Sequence, residues 1–363
     1  MTDERIPVSV LTGFLGSGKT TLLNSWLTDP ALADAAVIVN EFGEIGIDHA
    51  LIATSNENTI ELSTGCLCCT VRGDLVTTLE ELIEKRFQGV VRPFDRVIIE
   101  TTGLADPAPV LQALLNLPTS NDYRLNRVVT VVDGMQGMAT LDRQPEAVKQ
   151  AVVADQIIVT KTDLDPKNLA ELRERLGRLN PGAPMAFAKP EERPSPSVLD
   201  GADIYDPATK SEDVAAWLAA ESFEKHDDHH HDHGHHHGHH HHHPAHDVNR
   251  HDASISSFCL TFDEPLHWQH VAAWLETLVE NYGEDLLRVK GILSIEGWEN
   301  PIVVQAVQTI FHQPAKLRQW PGNDRRSRIV FITRNISRGF VAELLAEIQT
   351  QIPKELFDRE NKQ

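Results

Sequence analysis

VSVLTGFLGSGKTTLLNSWL, residues 8–27, decides the fold of the N-terminal half of this chain. It opens on an apolar run of β character, turns through Gly13, Gly16 and Gly18, and closes in a helical pattern. Within it, GFLGSGKT (Gly13 to Thr20) fits G-x-x-x-x-G-K-[ST]. A strand before and a helix after are the context that makes this pattern a phosphate-binding loop. The glycines let backbone N–H groups curl round phosphate oxygens, helped by the positive end of the helix. Lys19 is expected to reach the β- and γ-phosphates as a catalytic charge, and the Thr20 hydroxyl to ligate Mg²⁺. Ser17 and Thr21 complete the nucleotide-contacting set.

Outward from the loop, β-type runs alternate with helical periodicity from Ile6 to about Phe187. The strands are IPVSVL, AAVIVN, DRVIIE, RVVTVV and DQIIVT. All are nearly continuous in apolar residues, as strands covered on both faces must be. TTLLNSWL, DLVTTLEELIEKRF and LAELRERLGRL carry the helical pattern between them. The expected fold is α/β: a P-loop NTPase domain with a mainly parallel sheet, over residues 1–222. A histidine-rich, disordered linker follows at 223–253, and a smaller α+β domain at 254–352, with a tail at 353–363.

Two more stretches extend the nucleotide reading. RVIIETTG (Arg96 to Gly103) is a buried strand ending in an acid, followed by a glycine. Glu100 would sit near Mg²⁺ as the second catalytic residue, and the Gly103 amide would sense the γ-phosphate. IIVTKTDL places Lys161 and Asp163 at a strand end, in the manner of the [NT]-K-x-D element that reads guanine. A carboxylate accepting two hydrogen bonds from guanine finds no matching donors on adenine, which favours GTP over ATP. Leu104 stands where Ras-like enzymes carry a water-orienting Gln, so intrinsic hydrolysis is expected to be slow.

Composition narrows the partners. Fifty-three acidic residues against 33 basic give a net charge of −20, which repels phosphate backbones and anionic lipid. Neither nucleic acid nor membrane is expected as a partner; metal cations are. No apolar run nears the roughly 18 residues of a membrane span. The acidic start MTDERIPVSV does not read as a signal peptide, so the expected location is cytoplasmic. There, crowded thiols bind metal or do redox work rather than form disulfides.

That bears on STGCLCCTVRGD (63–74), which holds three of the chain's four cysteines: Cys66, Cys68 and Cys69. Thiolates so spaced can hold zinc, cobalt or nickel from a single turn. A redox dithiol and a packed thiol cluster are the alternatives. No second distant Cys or His pair accompanies the cluster, which leaves the site partly open, as cargo release requires.

In this order, GFLGSGKTTLLN, NEFGEIGIDHALI, GCLCCTVRGDL, ETTGLADP and TKTD resemble the CobW-type GTPases. These are metallochaperone-like relatives of the GTPases that deliver nickel to urease and hydrogenase. LLRVKGIL and RIVFITRN are similar to that family's C-terminal domain. The resemblance puts the phosphate loop on Gly13 to Thr20, the acid on Glu100, base recognition on Lys161 and Asp163, and the metal thiols on Cys66, Cys68 and Cys69. Thr160 departs from the commoner Asn. NEFGEIGIDHA (40–50) lies where a switch loop belongs; there Glu41 is favoured as the cargo-side carboxylate and Asp48 as a Mg²⁺ contact, with Glu44 and His49 as alternatives. The implied activity is GTP-driven delivery of a transition metal, zinc first and Co²⁺ or Ni²⁺ next, to a metal-requiring client protein. Cobalt handling in cobalamin assembly and non-enzymatic metal storage remain rivals. The oligomeric state stays open, with a homodimer among the options.

Fifteen of the 19 histidines fall in residues 224–252. Neutral imidazoles at that density bind several metal ions weakly, with proton competition below about pH 6.5. The tract reads as a collecting arm or as a plain linker. In the C-terminal domain His267 and His270, at i and i+3, are expected to be ordinary half-buried residues, Trp268 and Trp274 core, and Cys259 a buried thiol.

Overall fold

β1 (Ile6–Thr12) lies at the middle of a seven-stranded sheet. The computed structural model describes residues 5–42, 59–64, 70–116, 119–164, 166–189, 191–200, 254–311, 314–317, 319–320 and 323–351. Further strands of the sheet are β2 (Ala35–Phe42), β3 (Thr59–Thr64), β4 (Arg96–Glu100), β5 (Tyr123–Asp133), β6 (Gln156–Thr160) and β7 (Met185–Phe187). Their order is β3-β2-β4-β1-β5-β6-β7, and every pairing is parallel.

Helices cover both faces, which is why the strand sequences read as continuous apolar runs. On one face, α1 (Lys19–Trp26) sets Leu22, Leu23 and Trp26 against Leu11, Val37 and Ile98. On the other, α2 (Thr70–Phe87) and α3 (Ala108–Leu115) pack Leu79, Leu82 and Leu111 on Val8, Val10, Val97 and Ile99. Val97 and Ile99 thus face one way and Ile98 the other, the period-2 alternation of a strand. Each such fully buried side chain contributes about 1.5–3 kcal/mol. Two short helices, α4 (Gly137–Arg143) and α5 (Pro145–Val152), join β5 to β6, and α6 (Leu169–Leu179) joins β6 to β7. α2 begins at Thr70, directly after Cys69, a little earlier than its sequence pattern indicates.

A second sheet is wholly antiparallel: β8 (Ile255–Phe262), β9 (Arg288–Leu293), β10 (Ile302–Val307), β11 (Ile310–Phe311), β12 (Ala315–Lys316) and β13 (Ser327–Arg334). Its path is β11-β10-β9-β13-β8, with β12 on β10. α7 (Trp268–Tyr282) and α8 (Arg338–Gln351) cover one face, where Trp274 is fully buried and its Nε1 donates to Val341 O at 2.9 Å. Trp268 is only half-buried and stacks on Trp298. Cys259 is buried, and burial raises its thiol pKa.

The opposite face lies against the first unit. Leu287 and Ile332 join the cluster of α5 and α6, and Val307 that of α2 and α3. Asp155, just before β6, pairs with Arg288 Nη2 at 3.0 Å and with Lys290 Nζ, both from β9. Its other oxygen accepts the Val128 amide at 2.9 Å. Burial alone would raise the Asp155 pKa, but the two cations and these hydrogen bonds outweigh it and hold the carboxyl at about 2. Among the described residues no helix is long and apolar enough to cross a membrane.

Candidate nucleotide and metal site

Because all seven strands of the first sheet are parallel, the loops after their C-terminal ends share one edge, where open α/β sheets bind ligands. The phosphate loop leaves β1 at Gly13, whose φ is 141° and where a Cβ would sit 2.2 Å from Val131 O. No residue with a side chain fits there. Lys19 is buried, and its Nζ donates to the carbonyls of Gly13 at 2.9 Å and Phe14 at 3.3 Å. It therefore sits inside the curve of the loop.

Glu100, the last residue of β4, is 4% exposed and lies in register with Leu11 of β1 and Val39 of β2. Thr20 Oγ1 donates to its Oε1 at 2.6 Å. These two of the expected Mg²⁺-side groups, hydroxyl and carboxylate, are hard oxygen donors and converge at the start of α1, which is the donor chemistry Mg²⁺ takes. After β4 the chain presses on the phosphate loop: a Cβ at Gly103 would meet Leu15 N at 2.6 Å. Leu104 is half-exposed beside it.

Beyond the loop, a cavity of about 320 Å³ is lined by Gly18, Thr21, Lys161, Asp163, Ala188 and Lys189, among others. This brings the expected base-recognition pair together with two loop residues. Lys161 holds a left-handed φ of 56°, a conformation that costs a non-glycine residue energy and persists only when its surroundings enforce it. They do: its Nζ donates to Gly16 O at 2.8 Å and to Asp133 Oδ2 at 2.6 Å. Thr160, where Asn is commoner, ties the strand end to the phosphate loop: its hydroxyl donates to Ser17 O at 2.6 Å. Asp163 is exposed, in a short 3₁₀ turn, Thr162–Leu164.

Of the expected cargo and switch residues, Cys66, Cys68, Cys69, Asp48, Glu44 and His49 lie outside the described residues, as does the histidine tract. The backbone of Glu41 is described: it belongs to β2 and is in register with Ser63 of β3. Among the described residues no group of three or more His, Cys, Asp or Glu could hold a metal ion. The rings of His267 and His270 are 5.0 Å apart, and His270 is buried.

Residues 7–187 match the profile of the CobW/HypB/UreG nucleotide-binding domain, and residues 255–349 that of the cobalamin synthesis protein cobW C-terminal domain. The zinc chaperone YjiA of Escherichia coli is 30% identical over 90% of this chain and 93% of its own. The chain belongs to the CobW/HypB/UreG family. Within that family, the zinc chaperone CobW of Pseudomonas aeruginosa is 33% identical, covering 95% of this chain and 92% of its own. The zinc-regulated GTPase metalloprotein activator 1 of Saccharomyces cerevisiae is 29% identical over 94% and 83%. The crystal structure of Zn(II)-bound YjiA GTPase from E. coli superposes with a TM-score of 0.64 at 25% identity, covering 95% of this chain and 99% of that one.

Several residues at this CobW/HypB/UreG site carried no motif in the sequence. Asp133 caps the turn after β5, accepting the amides of Met135 at 2.8 Å and Gln136 at 3.1 Å, while its second oxygen holds Lys161. Ala188 and Lys189 follow β7, a strand of three residues that gave no apolar run to find. The only available signal for Asp133 was its place at the end of an apolar strand, as for Glu100.

Proposed function

We propose that this chain is a Mg²⁺-dependent GTPase of the cytoplasm that carries zinc on Cys66, Cys68 and Cys69, with Glu41 as a fourth ligand, and hands it to a client protein. One observation carries the reading: Thr20 and Glu100 meet at the phosphate loop while β2, the strand that ends in Glu41 and Phe42, lies beside β4. Val39 is level with Glu100, so Glu41 is two residues further along the adjacent strand. With strands ~4.8 Å apart and a rise of ~3.3 Å per residue, the two Cα atoms are about 8 Å apart. A change at the γ-phosphate would have only that distance to travel to a cargo ligand. The relatives named as zinc chaperones support zinc as that cargo.

In this reading the loop amides and Lys19 would hold the phosphates, Thr20 and Asp48 would hold Mg²⁺ with the catalytic Glu100 near it, and Lys161 and Asp163 would hold the base. Bound Mg²⁺ supplies neutralisation of charge on the β- and γ-phosphates. Linkage then requires that zinc alter guanine-nucleotide affinity by the factor by which the nucleotide alters zinc affinity.

The test is GTP turnover and calorimetric GTP binding with Zn²⁺, Co²⁺ and Ni²⁺ in turn, in the natural chain and in a Cys66→Ser, Cys68→Ser, Cys69→Ser variant. A metal-dependent rate lost in the variant, and greatest for zinc, is the expected result. Rates and binding constants indifferent to both metal and thiols would end the chaperone reading.

A further inference from the structure

The loop that carries Gly103 is held from behind by a helix outside every nucleotide motif. Thr101 is still tied to β1, its amide donating to Leu11 O at 2.9 Å and its hydroxyl to Thr12 Oγ1 at 2.8 Å. α3 begins at Ala108, whose amide donates to Asp106 Oδ1 at 2.9 Å. Between those anchors the chain must place Gly103, the most conformationally free residue type, against Leu15 of the phosphate loop.

Beyond the loop's own turn, in which the Ala105 amide donates to Thr102 O at 3.3 Å, α5 adds a restraint from outside. Gln150, 1% exposed, points its Nε2 at this loop, 3.0 Å from Ala105 O and 3.4 Å from Gly103 O. One residue earlier, Lys149 Nζ lies 2.6 Å from Asp106 Oδ2. The helix is itself pinned, since Thr130 Oγ1 of β5 donates to Gln150 O at 2.6 Å. Gln150 also lines a cavity of about 340 Å³ behind the phosphate loop, with Phe14, Leu15 and Ser17. Among the described residues nothing donates to its Oε1, so the amide is committed through its N–H groups to the Gly103 loop.

We infer that Gln150 is a positioning residue for hydrolysis: by holding the Gly103 and Ala105 carbonyls it fixes the path of the loop after the glycine and so keeps Gly103 seated on Leu15, where its amide would face the γ-phosphate, while Lys149 fixes Asp106 at the far end of the same loop. The inference rests on the nucleotide reading proposed above. A role confined to stability would lower the melting temperature and all nucleotide affinities together. Positioning acts on the chemical step and spares GDP, which has no γ-phosphate to be sensed.

The experiment compares the full-length chain with Gln150→Met and Lys149→Met for steady-state GTP hydrolysis, GDP affinity by calorimetry and melting temperature. Gln150→Met is expected to lower kcat about tenfold, with KM and GDP affinity within about twofold of the natural chain. Lys149→Met, at a half-exposed position, is expected to lower kcat by a smaller factor in the same pattern. Unchanged kcat in both variants overturns the inference, as does an equal loss of GDP affinity and kcat. Should Gln150→Met fail to fold, Lys149→Met decides alone, and an unchanged kcat there overturns the inference. Lys19→Ala is run beside them. If it hydrolyses GTP like the natural chain, the nucleotide reading itself fails; if it is inactive while the α5 variants are fully active, only the positioning role fails.

Discussion

Replacing Asp155 by Asn should loosen the seam between the two sheets by an amount that the structure bounds. The carboxylate lies between Arg288 and Lys290 of β9 and accepts the Val128 amide. Its pKa is about 2, against an ordinary 3.8. That displacement is worth on the order of 2 kcal/mol of stability at neutral pH, offset in part by Lys290, whose burial lowers its own pKa to about 8. Unpairing buried cations costs about 3–5 kcal/mol when one partner is removed. Asparagine still accepts the Val128 amide, so the expected loss at pH 7 lies between about 2 and 5 kcal/mol. Because the folded pKa is depressed, the contribution is fully present above the unfolded value near 4. It is lost as pH falls towards 2. Urea unfolding of both chains at pH 7, 5, 4 and 3 measures the difference directly. It should stay level down to pH 5 and shrink by about half at pH 3, where Asp155 is protonated in the unfolded chain but still ionised in the folded one. Equal stability at pH 7, or a gap as wide at pH 3 as at pH 7, would refute the account of the seam.

Three further outcomes are expected. Asp163→Ala should raise KM for GTP by about a hundredfold and bring GTP and ATP closer together, since the lost carboxylate pairs guanine alone. Asp133→Asn should raise it by about tenfold by freeing Lys161 to leave its strained conformation; hydrolysis assays with both nucleotides check the pair. Deleting residues 226–251 should reduce the number of zinc ions bound at pH 7.5, with little further loss at pH 5.5, and leave GTP turnover intact. Zinc titration by calorimetry at the two pH values, followed by a GTPase assay, decides it.

Local chemistry alone determined much of this protein. The glycine spacing of residues 13–18 admits few structures other than a phosphate loop, because Gly13 has no space for a Cβ beside Val131. The apolar runs that became β1, β2, β4, β5 and β6 were legible because strands buried on both faces need little but apolar residues. β3 and β7 were not, since four of the six residues of TIELST are polar and MAF is three residues long. Tertiary structure decided the start of β9 as well. That strand begins at the cationic Arg288, because Asp155, 133 residues away, makes burial of Arg288 and Lys290 tolerable. Asp133, Lys149 and Gln150 likewise have no motif, since what they hold lies 28, 43 and up to 47 residues distant along the chain. Spacing within a motif records contacts between near neighbours. A hydrogen bond that closes only when two strands and a helix have packed leaves no periodic trace in the sequence.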